Sequence, residues 1–275
     1  MIPRQFPWMI WAELRKVYSR GSGIGALLVA AVMGIGTVGM MWQMGHNDSA
    51  QINGHSLSEI VKMNALECSG WALWVSNYFV VPLFLVLAAS SSVAGELGSR
   101  TLREDLVRPI PRWSALAARM VGVSSLAALC LLIIGAFSFF PGLLAFGLPA
   151  EGSVPVDYPT LTHLALCYLA ALGSSVGLIA LAMLLSLVVR SVGGVLVTMV
   201  LVLMADAALR LVLWGMDMAS IALAGQLRPW TLWNALHCWD AWTTEFEPMR
   251  FVALAILTVA ATSVAMVRLS RMDVP

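Results

Sequence analysis

Six long apolar runs, at about 23–43, 71–94, 114–140, 161–189, 192–214 and 249–267, dominate this 275-residue chain. Crossing the hydrocarbon core of a bilayer takes about 20 predominantly apolar residues of helix. No water is there to satisfy backbone N–H and C=O groups, so each run must satisfy them internally as a helix. The expected fold is therefore all-α: a polytopic membrane protein of six transmembrane helices, forming a single domain over residues 1–275. The chain is 60% hydrophobic and 11% charged, with a mean hydropathy of +0.85, which no ordinary soluble domain matches. The first run is too long for the apolar part of a signal peptide and follows a segment of mixed charge, so it is expected to stay on the mature protein.

Basic residues set the direction of threading. With both termini on one side, twelve of the sixteen share that side: Arg4, Arg15, Lys16, Arg20, Arg100, Arg103, Arg108, Arg112, Arg119, Arg190, Arg268 and Arg271. The positive-inside rule makes that side cytoplasmic, and the expected location is a bacterial cytoplasmic (inner) membrane. Lys62, Arg210, Arg228 and Arg250 fall outside, with ten of the fifteen acids on or near that side. All eleven tryptophans lie near predicted span ends or in the last outer loop, where an amphipathic indole prefers to sit.

Before the first run, Ile10, Leu14, Val17 and Tyr18 repeat at helical spacing, with Glu13, Arg15, Lys16 and Arg20 on the other side. Residues 1–22 are thus expected to form an interfacial amphipathic helix, with Gly21, Ser22 and Gly23 allowing a sharp turn into the bilayer. The outer loop 215–248 is too long and too apolar for a plain connection. Two short helices are expected in it, over Met218–Leu227 and from Pro229, re-entrant or lying at the interface.

Residues 95–113 form the most charged loop. Thr101 and Glu104 have the spacing of a capping box, a short helix is expected over Leu102–Val107, and Pro109 ends it. Leu102 and Leu106, one turn apart, make an apolar ridge framed by Glu96, Arg100, Arg103, Glu104 and Asp105. On charge alone the segment serves equally as a topology signal or as a docking element. The order Gly-Glu, Gly-Ser, Thr-Leu-Arg, a leucine and Arg-Pro-x-x-Arg resembles the cytoplasmic loop after the second span of ABC-2 type permeases, the membrane subunits of ATP-driven exporters. The basic amphipathic start and the Arg268, Arg271, Asp273 tail are similar to that family's as well. The resemblance implies a pair of permease subunits, homo- or heterodimeric, each engaging one ATP-binding cassette subunit that holds ATP and Mg. It further implies coupling to that subunit through Glu96, Arg100, Thr101, Leu102, Arg103, Glu104 and Leu106, and a connecting helix on the inner leaflet at the N-terminus.

The chain's own chemistry is sparse. Lys16 and Lys62 are the only lysines, and neither follows a phosphate-binding loop pattern, so the chain cannot hydrolyse ATP alone. Metalloprotease, nucleophile-elbow and C-x-x-C patterns are absent. No cofactor is expected in the chain, nor is nucleic acid expected as a partner. Met40, Met41, Met44 and His46 cluster at the outer end of the first run, but methionine is a common gap-filler and no metal is expected.

Asp206 and Arg210, one turn apart in the fifth run, are expected to neutralise each other as an intramembrane ion pair. The other runs are expected to contain only apolar and small residues with scattered serines and threonines. Gly34, Gly36 and Gly39 suggest close helix packing. Cys130 and Cys167 are expected to pack in spans, whereas Cys68 and Cys238 fall in outer loops where an oxidising compartment permits a bridge. The expected function is that of an ABC-2 type exporter permease, not itself an enzyme, moving a hydrophobic or amphiphilic substrate such as a drug, peptide antibiotic or lipid. A permease for ions or metals and a non-transporting scaffold remain the alternatives.

Overall fold

The computed structural model describes residues 6–45, 51–52, 55–56, 64–98, 111–148, 161–218, 226–242 and 247–271. Among the described residues the fold is helical apart from a small antiparallel hairpin, β1 (Gln51–Ile52) with β2 (His55–Ser56), in the register Gln51↔Ser56. A leading helix, α1 (Phe6–Ser19), precedes six helical stretches long and apolar enough to cross a membrane, which makes this a multi-pass membrane protein. They are α2 (Gly21–Gly45); α3 (Ala65–Val75) continuing through a π-turn into α4 (Val81–Gly98); α5 (Arg112–Phe146); α6 (Leu161–Val189); α7 (Val192–Met218); and, after a short α8 (Leu232–Leu236), α9 (Pro248–Arg271).

Local chemistry sets several boundaries. The second span starts at Ala65 because Asn64 caps it, its side-chain oxygen accepting from the Glu67 N–H at 2.9 Å. The π-turn at Ser76–Val80 lies next to Pro82, which has no N–H to give the Tyr78 carbonyl and whose ring crowds it. The backbone widens there, and the Val81 N–H reaches the Ser76 carbonyl five residues back. At the turn between α6 and α7, Arg190 has φ 58° and Ser191 accepts from the Gly194 N–H at 3.1 Å.

The spanning helices alternate in direction around α5, which packs on α1, α2, α3, α4, α6 and α9. Gly34 brings α2 against α5 so closely that a Cβ would sit 3.0 Å from Phe137 Cβ and 3.1 Å from the Ile134 carbonyl oxygen. At one end of the bundle, arginines close the helix termini. Arg112 Nη1 donates to the carbonyls of Leu269 and Ser270 at 3.1 and 3.2 Å, and Arg268 Nε donates to the Leu187 carbonyl at 3.3 Å. These contacts satisfy last-turn carbonyls that α9 and α6 leave open. This is the basic end; the opposite end carries Trp42, Trp71 and Trp214.

Candidate functional site

The basic end holds an ion cluster built from three helices. Glu96, near the end of α4, is 6% exposed, and Arg119, in α5, is 2% exposed. Arg119 Nη2 donates to Glu96 Oε2 at 2.6 Å, and Arg20 Nη2 to Glu96 Oε1 at 2.7 Å. Lys16 Nζ stands 3.6 Å from the same carboxylate and 3.1 Å from Glu13 Oε1. Glu13, itself buried, lies 3.9 Å from Arg119 Nε. Three cations and two carboxylates thus meet in one cluster, with Glu13, Glu96 and Arg119 buried at its centre and Lys16 and Arg20 at its edge.

The cluster fixes how α1 lies. Phe6 lies beside Trp113 with the rings tilted (centroids 6.2 Å apart), Glu13 faces Arg119 and Gly122, and the Tyr18 and Ser125 hydroxyls meet at 3.2 Å. Twelve residues of α1 therefore advance beside twelve of α5, so α1 runs along the first turns of α5 in the same direction. The amphipathic helix forms as its pattern predicts, but its polar side is divided: Arg15 is exposed, Glu13, Lys16 and Arg20 turn into the cluster, and Trp8 and Trp11 are 76% and 65% exposed. Partner charges on α4 and α5 account for the difference. At the junction with α2, a Cβ on Gly23 would overlap the Val17 carbonyl oxygen.

Of the expected coupling residues, Glu96 is therefore engaged within its own chain. Arg100, Thr101, Leu102, Arg103, Glu104 and Leu106 lie outside the described residues.

A second site occupies the far half of the bundle, where residues 226–242 fold back between α6, α7 and α9 as a re-entrant unit. The Leu236 carbonyl accepts from Ser174 Oγ, thirteen residues into α6 and so about 20 Å from its start. Asp206 of α7 accepts from the Leu232 and Trp233 N–H groups at 2.9 and 2.8 Å, capping α8 with a carboxylate. Trp233 stacks on His237 at 3.9 Å and 12°, with Tyr78 edge-on to both rings. His237 lies outside the six spanning helices. Burial pushes its imidazole well below the usual range and leaves it neutral, with Nδ1 2.9 Å from the Trp233 carbonyl oxygen. The unit, the π-turn, α4, α6 and α7 enclose a cavity of about 260 Å³.

Three expectations need correcting here. Asp206 and Arg210 do not pair: Asp206 is held by the α8 backbone, and the Arg210 guanidinium lies over the Trp233 ring, 5.2 Å from its centroid. Two convergent N–H groups at a helix start give a carboxylate a better-oriented partner than a cation on its own helix. Cys68 and Cys238 are unbridged and buried. Cys68 packs with Val38 and Met41, whereas the Cys238 thiol donates to the Ala170 carbonyl at 3.6 Å. Trp239, assigned to the interface belt, is 1% exposed and belongs to the core.

Sequence reasoning also passed over Asn77, Arg119 and Glu13. Asn77 and Arg119 lie within predicted apolar runs, and their polarity there was the available signal. Glu13 looked like one more charge on a solvated helix face.

A six-span helical bundle with a charged clasp at one end and an inserted short-helix unit with an apolar cavity toward the other defines a polytopic helical membrane protein. The chain belongs to the family described as "Protein of unknown function (DUF2705)", whose model matches residues 27–274. It is also similar to the uncharacterized protein YhcI of Bacillus subtilis (strain 168), at 22% identity over 230 residues, covering 66% of this chain and 72% of that protein.

Proposed function

We propose that this chain is the permease subunit of an ABC-2 type exporter, pairing with a second permease subunit and with two ATP-binding cassette subunits that carry the ATP and Mg. In this reading the basic end faces the cytoplasm of a bacterial inner membrane, both termini included, and the cargo is hydrophobic or amphiphilic. The observation that carries it is the Glu96 cluster. The 99–110 segment that would dock on the ATPase leaves α4 just after Glu96 and enters α5 a few residues before Arg119, and α1 is ion-paired to both. A push on the docking segment would therefore reach α1, α4 and α5 together, and through the α1–α2 junction also α2. A loop that only set topology would have no need for such a buried tie at both its ends.

The test is reconstitution with an ATP-binding cassette subunit from the same host, scored by permease-stimulated ATP hydrolysis. Replacing Leu102 and Leu106 together by aspartate puts two charges into a desolvated contact. Stimulation and co-purification should fall at least about 100-fold, in line with several kcal/mol of lost coupling, while membrane insertion persists. Normal stimulation in that double variant overturns the docking role, and the lack of any ATPase that responds to the wild-type chain overturns the export reading.

A further inference from the structure

We propose that the 260 Å³ cavity is a binding site for an uncharged amphiphile of roughly ten heavy atoms, whose hydrogen-bonding group meets the side-chain amide of Asn77. The size follows from comparison with apolar cavities of roughly 150 Å³, which hold benzene. The inference gives the export reading a ligand class but does not depend on it, because the site lies within one chain.

Asn77 carries the argument. It is 3% exposed, stands in the π-turn and lines the cavity. Among the described residues its amide makes no hydrogen bond, yet neither of its polar atoms is fully sealed off. As a wall residue, Asn77 brings an amide to a largely apolar cavity. An amide left in that state destabilises the fold, and a leucine at the same place would not. A wide π-turn is itself a common mark of a functional position. Of the other polar wall groups, Ser175 donates to the Ala171 carbonyl, Ser174 to that of Leu236, and His237 Nδ1 faces the Trp233 carbonyl oxygen, while His237 Nε2 is buried without a partner among the described residues and is a second polar group on the wall. None of the lining residues is an acid, a lysine or an arginine, so the wall offers no counter-charge to an ionic ligand.

The route of entry follows from exposure. Phe79 and Leu83 on one side and Val200 and Met204 on the other line the cavity and are 41–65% exposed on the apolar flank of the bundle. A ligand dissolved in the bilayer reaches this mouth between α4 and α7 without crossing water.

The probes are 8-bromooctan-1-ol and 1-bromooctane, added to the purified chain in lipid nanodiscs, with bromine quenching of tryptophan as the readout. Trp233 and Trp239 line the cavity, so occupancy should quench saturably. The alcohol should bind about five-fold more tightly than the bromoalkane at equal mole fraction in lipid. Asn77→Leu should remove that preference and leave bromoalkane binding unchanged. Should Asn77→Leu fail to assemble, Met204→Trp, at an exposed rim position, fills the mouth and must abolish saturable quenching by both probes. Equal affinities in the wild-type chain, a preference that survives Asn77→Leu, or saturable quenching that survives Met204→Trp overturns the proposal. None of these outcomes bears on ATPase coupling, which is tested separately at Leu102 and Leu106.

Discussion

Arg119 Nη2 and Glu96 Oε2 sit 2.6 Å apart with both side chains more than nine-tenths buried, so the last turn of α4 is joined to the early turns of α5. Removing one partner strands the other in a desolvated site, at a typical 3–5 kcal/mol. Arg119→Met should destabilise the protein by about 3 kcal/mol, toward the low end because Arg20 and Lys16 still face Glu96. Lys16→Met, at a side chain 41% exposed, should change stability by less than about 1 kcal/mol. Thermal unfolding in detergent distinguishes the two, and equal effects would mean that the cluster is not held by its buried pair.

Asp206 holds the re-entrant unit by two backbone N–H groups. Asp206→Ala should loosen residues 226–242 by about 1–2 kcal/mol, the range for losing a helix cap. Asp206→Asn, which retains one acceptor oxygen, should have a smaller effect. Hydrogen exchange at the Leu232 and Trp233 amides reads the change directly. Arg210→Leu should leave that exchange nearly unchanged, since Arg210 meets the unit over the Trp233 ring and not at the Leu232 and Trp233 amides. If Arg210→Leu matches Asp206→Ala, the ion pair expected from sequence is restored as the better account.

Both Cys68 and Cys238 should resist a maleimide reagent in the folded protein and react after denaturation without reductant. Burial accounts for the first behaviour and their free state for the second. Protection that survives denaturation but disappears with reductant would establish a bridge.

The proposed orientation places a reporter fused after Arg271, or inserted near Arg108, in the cytoplasm, and one near Asn53 or Asp157 outside. The antiparallel arrangement of the spanning helices requires only that these two pairs differ. Finding Arg108 and Asn53 on the same side would contradict the bundle itself, whereas exchanging both pairs would reverse only the threading.

Much of this architecture was legible in the sequence because apolar run length and the bilayer constraint act on each helix alone. The six spans, the leading amphipathic helix and the structured 226–242 segment follow from such local rules. The sites were less legible, because a polar side chain in a span does not say which helix it faces. Asp206 has a cation one turn away in sequence, yet its partner lies 26 residues on, at Leu232. Likewise Glu13, Lys16 and Arg20 have the periodicity of a wet helix face, and only the docking of α1 along α5 turns that face inward.

The wide turn at Ser76–Val80 has a further consequence, for helical phase. One residue beyond what a regular helix needs turns α3 about 100° out of step with α4. The surface that α3 offers to α5 and the surface that α4 offers to the cavity are thereby set independently along a single membrane crossing. In this stretch the number of residues, as much as their identity, decides which wall Asn77 belongs to, and a one-residue deletion would rotate half the crossing while leaving its hydropathy intact.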